Sequence, residues 1–96
     1  MKAKQLFYFK DRQGDLIVEI VLWQLPQSVP GSFHGFKYRL FCGERGVCHV
    51  RYDNEAGKGD HVHWGQTEQA YHFTNPKQLI DDFWVDVARL TSWRFL

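Results

Sequence analysis

The chain has little cysteine, little proline and almost no net charge. Its 96 residues include two cysteines and three prolines. Two cysteines are too few for a disulfide scaffold, and no further ligands stand at the spacing of a structural zinc site. Twelve basic residues against eleven acidic ones leave a net charge of +1, which excludes the broad basic surface of a general nucleic-acid binder. An anion-binding site on this chain would therefore be local.

Long apolar segments are also missing. The first six residues lack the apolar run and the cleavage site of a secretory signal. The longest apolar run, Leu16 to Leu25, contains Glu19 and is about half the length that a helix needs to cross a bilayer. We therefore expect a cytoplasmic protein without a membrane span. A hydrophobic content of 44 % in a chain of 96 residues predicts a single globular domain, residues 1–96.

Apolar segments separated by turn residues predict an antiparallel sheet. The pattern first predicts two strands, Gln5 to Lys10 and Leu16 to Leu25, around a turn at Asp11-Arg12-Gln13-Gly14. A loop from Pro26 to Gly35 follows, with a type II turn at Val29-Pro30-Gly31-Ser32. After a central hairpin, the pattern predicts a turn from Gly65 to Gln69 and a short strand from Ala70 to Phe73. The fold class that we expect is α+β: a single antiparallel sheet of five to six strands in sequential hairpins, with one face covered by a C-terminal helix.

That helix is predicted from Pro76 to Leu90. Asn75 is a favourable N-cap, Pro76 suits the first helical position, and apolar residues recur at helical spacing from Leu79 onward. The default interpretation of Asp81, Asp82 and Asp86 is a solvated acidic surface. The apolar tail from Trp93 to Leu96 either folds back onto the core or contacts a partner.

The central hairpin is the most informative part of the pattern. Phe36 to Cys42 and Cys48 to Asp53 flank Glu44-Arg45-Gly46, which fits a three-residue loop with Gly46 in the left-handed conformation. This loop predicts the opposed pairs Cys42 with Cys48, Leu40 with Val50, Tyr38 with Tyr52, Lys37 with Asp53, Arg39 with Arg51, and Phe41 with His49. The first three pairs would form an apolar face and the last three a basic face. In a reducing cytoplasm, two buried free thiols are favoured over a disulfide.

Two directly opposed arginines destabilise a sheet unless water or an anion separates them. Arg39 and Arg51 therefore either extend into solvent or clamp a phosphate. Beyond the hairpin, the segment from Arg51 to His63 is rich in reactive side chains, and a solvated loop is its other interpretation. Since His61 and His63 alternate with core-facing residues, both imidazoles should join the basic face. His34 and His72 are expected to be surface or structural residues.

Several short motifs, in this order, resemble the TumE family of toxin components of toxin-antitoxin pairs. They are Lys37-Tyr38-Arg39-Leu40, Arg51-Tyr52-Asp53-Asn54, Lys58-Gly59-Asp60-His61-x-His63 and Leu79-x-x-Asp82-Phe83-x-x-Asp86-Val87, and the similarity extends over residues 4–90. The resemblance implies a small cytoplasmic toxin that a helix-turn-helix antitoxin holds inactive, with ribonuclease as the expected activity.

The side chains favour a metal-independent endoribonuclease that needs no cofactor. Metal-free RNA cleavage requires a base, an acid and a cationic clamp. We predict His61, His63, Lys58 and Arg51 as catalytic residues, and Lys37, Arg39, Tyr52, Asp53 and His49 as substrate-binding residues. The competing interpretation makes His61, His63 and either Asp53 or Asp60 the ligands of a metal, although the nearby cations oppose metal entry. A non-catalytic RNA-binding protein and a protein-interaction module remain alternatives, and a homodimer is left open.

Overall fold

In a computed structural model, which describes residues 2–26 and 34–95, six strands and one helix make up the fold. They are β1 (Lys4–Gln13), β2 (Leu16–Gln24), β3 (Phe36–Glu44), β4 (Val47–Glu55), β5 (Gly59–Trp64), β6 (Thr67–Ala70) and α1 (Pro76–Leu90). The strands form one antiparallel sheet in the order β1-β2-β3-β4-β5-β6. The predicted α+β fold class, with sequential hairpins, is confirmed. The predicted turn at residues 29–32 lies outside the described residues, as does Leu96.

Alternation of side chains gives the sheet one apolar face, and α1 packs on it against β3 and β4. The buried core consists of Leu16, Val18, Ile20, Leu22, Tyr38, Leu40, Cys42, Val50, Tyr52, Val62, Leu79, Phe83, Val87 and Trp93. Burial of each large apolar side chain contributes about 1.5 to 3 kcal/mol, so this face holds the helix in place. Within the described part of the chain, no helix is long and apolar enough to cross a membrane.

The helix has the predicted boundaries. The Asn75 side chain accepts a hydrogen bond of 2.9 Å from the amide of Gln78, and Pro76 opens the first turn. At the other end, the hydroxyl of Thr91 donates to the carbonyl of Val87 at 2.8 Å. Of the two alternatives for the tail, Trp93 folds back, since it is only 8 % exposed and belongs to the core, while Phe95 stays 53 % exposed.

The predicted loop and pairing of the central hairpin are wrong. Arg45 and Gly46 have φ values of 49° and 77°, which is typical of a two-residue type I′ turn and not of a three-residue loop. The register shifts next to the turn, because Cys42 pairs with Val50 while Gly43 pairs with Cys48. His49 is therefore an extra residue, a β-bulge.

The bulge has a clear physical reason. If the register set by the two-residue turn continued unchanged, Arg51 would lie opposite Leu40 on the core face. One extra residue restores the alternation, so that Val50 and Tyr52 point into the core and Arg51 points away. The observed pairs are Arg39 with Asp53, Leu40 with Tyr52, Phe41 with Arg51 and Cys42 with Val50, which replace all six pairs predicted from the longer loop.

Two turns and one strand also differ from their predicted positions. Strand β1 continues through Asp11-Arg12-Gln13, so the first turn lies at Gly14 and Asp15. The turn after β5 occupies only residues 65–66, and β6 is Thr67–Ala70 where Ala70 to Phe73 was predicted. Both turns have only two residues, and each begins with a glycine at a φ of 60°, Gly14 and Gly65. The shorter turns leave more residues for the strands.

The acidic surface predicted for α1 is wrong for Asp86. This carboxylate is 7 % exposed and accepts hydrogen bonds from the Tyr52 hydroxyl at 2.5 Å and the Trp64 indole at 2.8 Å. Burial, followed by the bond to Asp86, raises the pKa of Tyr52 well above its usual range. Asp82 likewise accepts a bond from Tyr71 at 2.6 Å. Asp86 and Asp82 thus connect the helix to the polar groups of Tyr52, Trp64 and Tyr71.

Candidate functional site

The polar face is the side of the sheet that α1 leaves uncovered. On it, strand pairing sets Arg51 opposite His63 and Asp53 opposite His61, and on the other side of β4 it sets Arg39 opposite Asp53. The prediction that both imidazoles join the face of Arg51 and Arg39 is confirmed. The members of this face that carry charge or an imidazole include Lys10, Arg12, Glu19, Lys37, Arg39, Arg51, Asp53, Glu55, His61, His63 and Glu68.

Asp53, His61 and His63 form a compact group that we call the triad. The Oδ1 atom of Asp53 lies 2.7 Å from Nε2 of His61 and 3.9 Å from Nε2 of His63. The side chains of His61 and Asp53 are 5 % and 12 % exposed, and that of His63 is 15 % exposed. The triad is thus largely buried, with His61 its deepest member and His63 its most exposed.

The contacts inside this group are close but incompletely satisfied. Arg51 Nε lies 3.0 Å from Oδ2 of Asp53. Even so, Arg51 Nε, Asp53 Oδ1 and His61 Nε2 are buried atoms without an aligned hydrogen bond. These atoms are close enough for electrostatic contacts, but the angles between them do not suit hydrogen bonds. Buried polar atoms without a hydrogen-bond partner are rare in folded proteins, and a catalytic role or a bound ion is among the physical reasons for them.

The other ring nitrogens identify the protonated atoms. His61 Nδ1 is 3.1 Å from the carbonyl oxygen of Gly59, which can only accept, so the proton of that contact belongs to Nδ1. His63 Nε2 is 3.0 Å from Nη2 of Arg51, which can only donate, so Nε2 of His63 is unprotonated there. Burial, and then the nearby charge of Arg51, lowers the pKa of His63 below its usual value.

Lys58 reaches the edge of this site through Glu68. Its Nζ atom lies 3.0 Å from Oε1 of Glu68, and Oε2 of the same carboxylate lies 3.8 Å from Nδ1 of His63. The bond to Glu68 raises the pKa of Lys58 and lowers that of Glu68. Lys58 is therefore beside the triad and paired, while it does not contact the triad directly.

A cleft of about 330 Å³ adjoins the triad on the side of β2 and β3. Trp23, Lys37, Arg39, Asp53 and Glu55 are among its lining residues. Arg39 lies 3.3 Å from Glu19 and 4.9 Å from the centre of the Phe41 ring, and Lys37 donates to the backbone carbonyl of Asn54. Arg39 and Arg51 share a face, but they are not directly opposed, so the clamp argued from their opposition loses its basis.

Three residues of the sequence hypotheses lie apart from the triad. Tyr52 is on the apolar face, 4 % exposed, and His49 at the bulge contacts Glu44 at 3.0 Å. Asp60 accepts a bond from the Tyr38 hydroxyl at 2.6 Å and lies 2.8 Å from His34 Nε2. Of the two carboxylates considered as metal ligands, the structure places Asp53 beside both imidazoles.

Sequence reasoning missed Trp23, Glu55 and Glu68 as neighbours of the site. The alternation of β2 already contained a signal for Trp23, since it shares a face with Glu19. For Glu68 no local signal existed, because its place opposite His63 depends on where the last turn closes.

The comparison with known proteins gives one result. The family model described as Toxin TumE matches residues 2–91, a range that includes the triad, Arg51, Lys58 and the whole of α1. No curated protein matches the chain, and no solved structure does. With nearly its full length covered by that match, the chain belongs to the TumE family of toxins.

Proposed function

We propose that this toxin acts on RNA as an endoribonuclease whose reacting centre is the triad with Arg51. A toxin family implies an antitoxin partner in general, and our proposal adds that the partner is a helix-turn-helix protein and that the pair works in the cytoplasm. The observation that carries the proposal is the convergence of two imidazoles, a carboxylate and a guanidinium on the polar face of the sheet.

This group of side chains suits a phosphodiester. Cleavage by the 2′-hydroxyl needs a group that takes a proton, a group that returns one and cations at the phosphorane. His61 and His63 are the candidates for proton transfer, and His63, with its unprotonated Nε2, is the more accessible. Arg51 is the candidate cation at the phosphate, and Lys58 is placed to approach a neighbouring phosphate if its pair with Glu68 opens.

The adjoining cleft supports a nucleic-acid chain as the substrate. An indole ring offers a stacking surface that accepts any base, and Trp23 provides one beside Lys37 and Arg39. Cations next to a stacking surface follow a sugar-phosphate backbone. Because Arg39, Arg51 and Lys58 are each paired with a carboxylate, the arrangement favours a localised contact over general binding along RNA.

A metal-dependent reaction is the second candidate, and one observation favours it. The structure brings Asp53 to both imidazoles, as the metal interpretation of the sequence requires. Both candidates place the same residues at the phosphate, and they differ in whether the imidazoles move protons or hold an ion.

The test begins with growth and total RNA after expression of the chain alone and with its neighbouring gene. Purified protein is then incubated with labelled RNA, and His63→Ala is compared with His72→Ala, which changes an exposed histidine outside the triad. We expect cleavage by the parent and by His72→Ala, and a rate at least about 100-fold lower for His63→Ala. RNA that stays intact with the folded parent protein would refute the proposal.

RNA binding by the same proteins separates the remaining alternatives. Cleavage lost with binding retained in His63→Ala supports catalysis. Toxicity with RNA binding and no cleavage would favour a non-catalytic RNA-binding toxin. Toxicity with neither would leave a protein-interaction module.

A further inference from the structure

We infer that Asp53, His61 and His63 form a binding site for a divalent transition-metal ion. One ligand atom from each residue lies within 4.8 Å of the other two. Two imidazole nitrogens and one carboxylate oxygen are a ligand set that zinc, manganese, iron(II), cobalt and nickel accept. In the ribonuclease proposed above, this ion would lie at the reacting centre. Binding of the ion does not itself depend on that function.

The position of the protons on His61 carries the inference. Its Nδ1 faces the Gly59 carbonyl, so a neutral ring has its lone pair on Nε2. That lone pair lies 2.7 Å from Oδ1 of Asp53, which is a second acceptor. Two acceptors at this distance repel each other unless a cation lies between or beside them. The Arg51 guanidinium lies beside the carboxylate, 3.0 Å from Oδ2, which leaves the position between Nε2 and Oδ1 for a proton or a metal ion. Both of these atoms are buried without an aligned hydrogen bond.

The surroundings of His61 match those of a metal ligand. A metal-bound histidine usually donates its other ring N–H to a carboxylate or a backbone carbonyl, which fixes the tautomer and the ring orientation. The contact from Nδ1 of His61 to Gly59 does this. His63 has the same arrangement in weaker form, since its Nε2 is unprotonated and its Nδ1 points toward Glu68 at 3.8 Å. Both Nε2 atoms therefore carry a lone pair near Asp53, and that of His63 accepts from Arg51.

Arg51 is the cation that a metal must displace. Its guanidinium contacts Asp53 through Nε and His63 through Nη2, each at 3.0 Å. Arg39, which shares this face, is instead engaged with Glu19 and the Phe41 ring. Among the described residues, Arg51 is therefore the cation whose contacts with the ligand atoms a metal ion must break. Removal of the Arg51 charge should strengthen metal binding, which is the opposite of the effect expected if Arg51 merely holds the triad together.

Three protein ligands would leave open positions for water or for a phosphate oxygen. A bound metal polarises a phosphoryl oxygen and lowers the pKa of its own water. In the metal-bound state the imidazoles are ligands, so the proton transfers proposed above would fall to other groups. The two mechanisms therefore predict different responses to chelation.

The test is direct titration of the full chain after removal of metal with EDTA and dialysis. Zn²⁺, Mn²⁺, Ni²⁺ and Co²⁺ are each titrated by calorimetry, and Co²⁺ also by its visible absorption, which reports the ligand geometry. We expect saturable binding of one ion per chain. His63→Ala should weaken it by at least about 100-fold, beyond the effect of losing an outer-shell partner, while His72→Ala should leave it unchanged. Arg51→Met should tighten it by about tenfold, because a like charge is removed from the site.

Controls keep the inference open to refutation. Far-UV circular dichroism confirms the fold of each variant, and Asp53→Asn serves as a near-isosteric second variant if His63→Ala fails to fold. Absence of saturable binding of one ion would overturn the inference and would leave a shared proton between Asp53 and His61. Binding that survives both Asp53→Asn and His63→Ala would also overturn it, because the ion would then lie elsewhere.

RNA cleavage measured on the same samples separates the two proposals. Cleavage that resists EDTA, by a protein that binds no ion in the titration, refutes the metal site and leaves the ribonuclease intact. Metal binding at the triad without any RNA cleavage refutes the ribonuclease and leaves the site intact.

Discussion

Replacement of Asp86 by alanine should be one of the most destabilising single changes on α1. The Asp86 carboxylate accepts bonds from Tyr52 and Trp64 and also lies 3.1 Å from Nη2 of Arg89. In the alanine variant, the Tyr52 hydroxyl and the Trp64 indole N–H lose their acceptor. A buried donor left without a partner costs about 1 to 3 kcal/mol. Because the bond from Tyr52 is buried and that from Trp64 only partly buried, the second donor costs less than the full amount, and the expected loss is roughly 2 to 5 kcal/mol. This is a large part of the stability of a small domain.

Urea denaturation followed by circular dichroism measures this loss. With a slope of about 1.5 kcal/mol/M, the midpoint should fall by about 1 to 3 M. Asp86→Asn retains an acceptor oxygen and should lose less than Asp86→Ala. Asp81→Ala is the matched control, because Asp81 is an exposed helix carboxylate paired with Lys77, and such pairs contribute at most about 0.5 kcal/mol.

A double-mutant cycle tests the mechanism more sharply. Tyr52→Phe alone should cost about 1 kcal/mol, since Asp86 keeps its bond from Trp64. In the Asp86→Ala background, the same change removes an orphaned hydroxyl and should be neutral or stabilising. A cost for Tyr52→Phe that is equal in both backgrounds would show that the two side chains do not interact. A loss below about 0.5 kcal/mol for Asp86→Ala would refute the reasoning altogether.

Three further outcomes follow from the core and the hairpin. In the native protein, a thiol reagent at pH 8 should label Cys48 before Cys42, because burial raises the pKa of Cys42 to about 11 and its side chain is inaccessible. Equal labelling rates in the native protein would contradict this, whereas in denaturant both thiols should react alike. Gly43→Ala should destabilise the fold by about 1 to 3 kcal/mol, because an added Cβ would lie 2.4 Å from the Val47 carbonyl oxygen; an unchanged thermal midpoint would contradict this. Trp93→Ala should cost about 3 to 5 kcal/mol in urea denaturation, and a negligible cost would show that the tail does not belong to the core.

The architecture was predictable because its determinants are local. Apolar alternation marks the strands, and Asn75 followed by Pro76 fixes the start of α1 by capping chemistry alone. The loop of the central hairpin was not predictable in the same way. Glu44-Arg45-Gly46 fits either a three-residue loop or a two-residue turn, and the choice depends on the bulge at His49, which the packing of Val50 and Tyr52 into the core requires.

The composition of the site was predictable in part. Alternation alone sends His61 and His63 to the same face. Their contact with Asp53 needs the pairing of β4 with β5, and the choice of Asp53 over Asp60 follows from that register. The burial of Asp86 shows the same limit, since helical periodicity placed this residue outside the apolar stripe while the hydroxyl of Tyr52 and the indole of Trp64 required an acceptor there.

The error in register changes the electrostatics of the polar face more than its membership. The observed pairing of β3 with β4 differs from the predicted one by two residues. Such a shift keeps every side chain on its face and changes only the residue that lies opposite it. Arg51 consequently lies opposite Phe41, and Arg39 lies opposite Asp53. What the sequence suggested as two repelling arginines is a set of ion pairs, with Glu19 beside Arg39 and Asp53 beside Arg51.

A phosphate must compete with these carboxylates for the guanidinium groups of Arg39 and Arg51. A metal ion on the triad would take Asp53 as its ligand and displace Arg51 from His63, which would free the Arg51 guanidinium for a phosphate next to the metal. The metal site and the phosphate contact are therefore coupled, and phosphate analogues should bind more tightly to the metal-loaded protein than to the metal-free one.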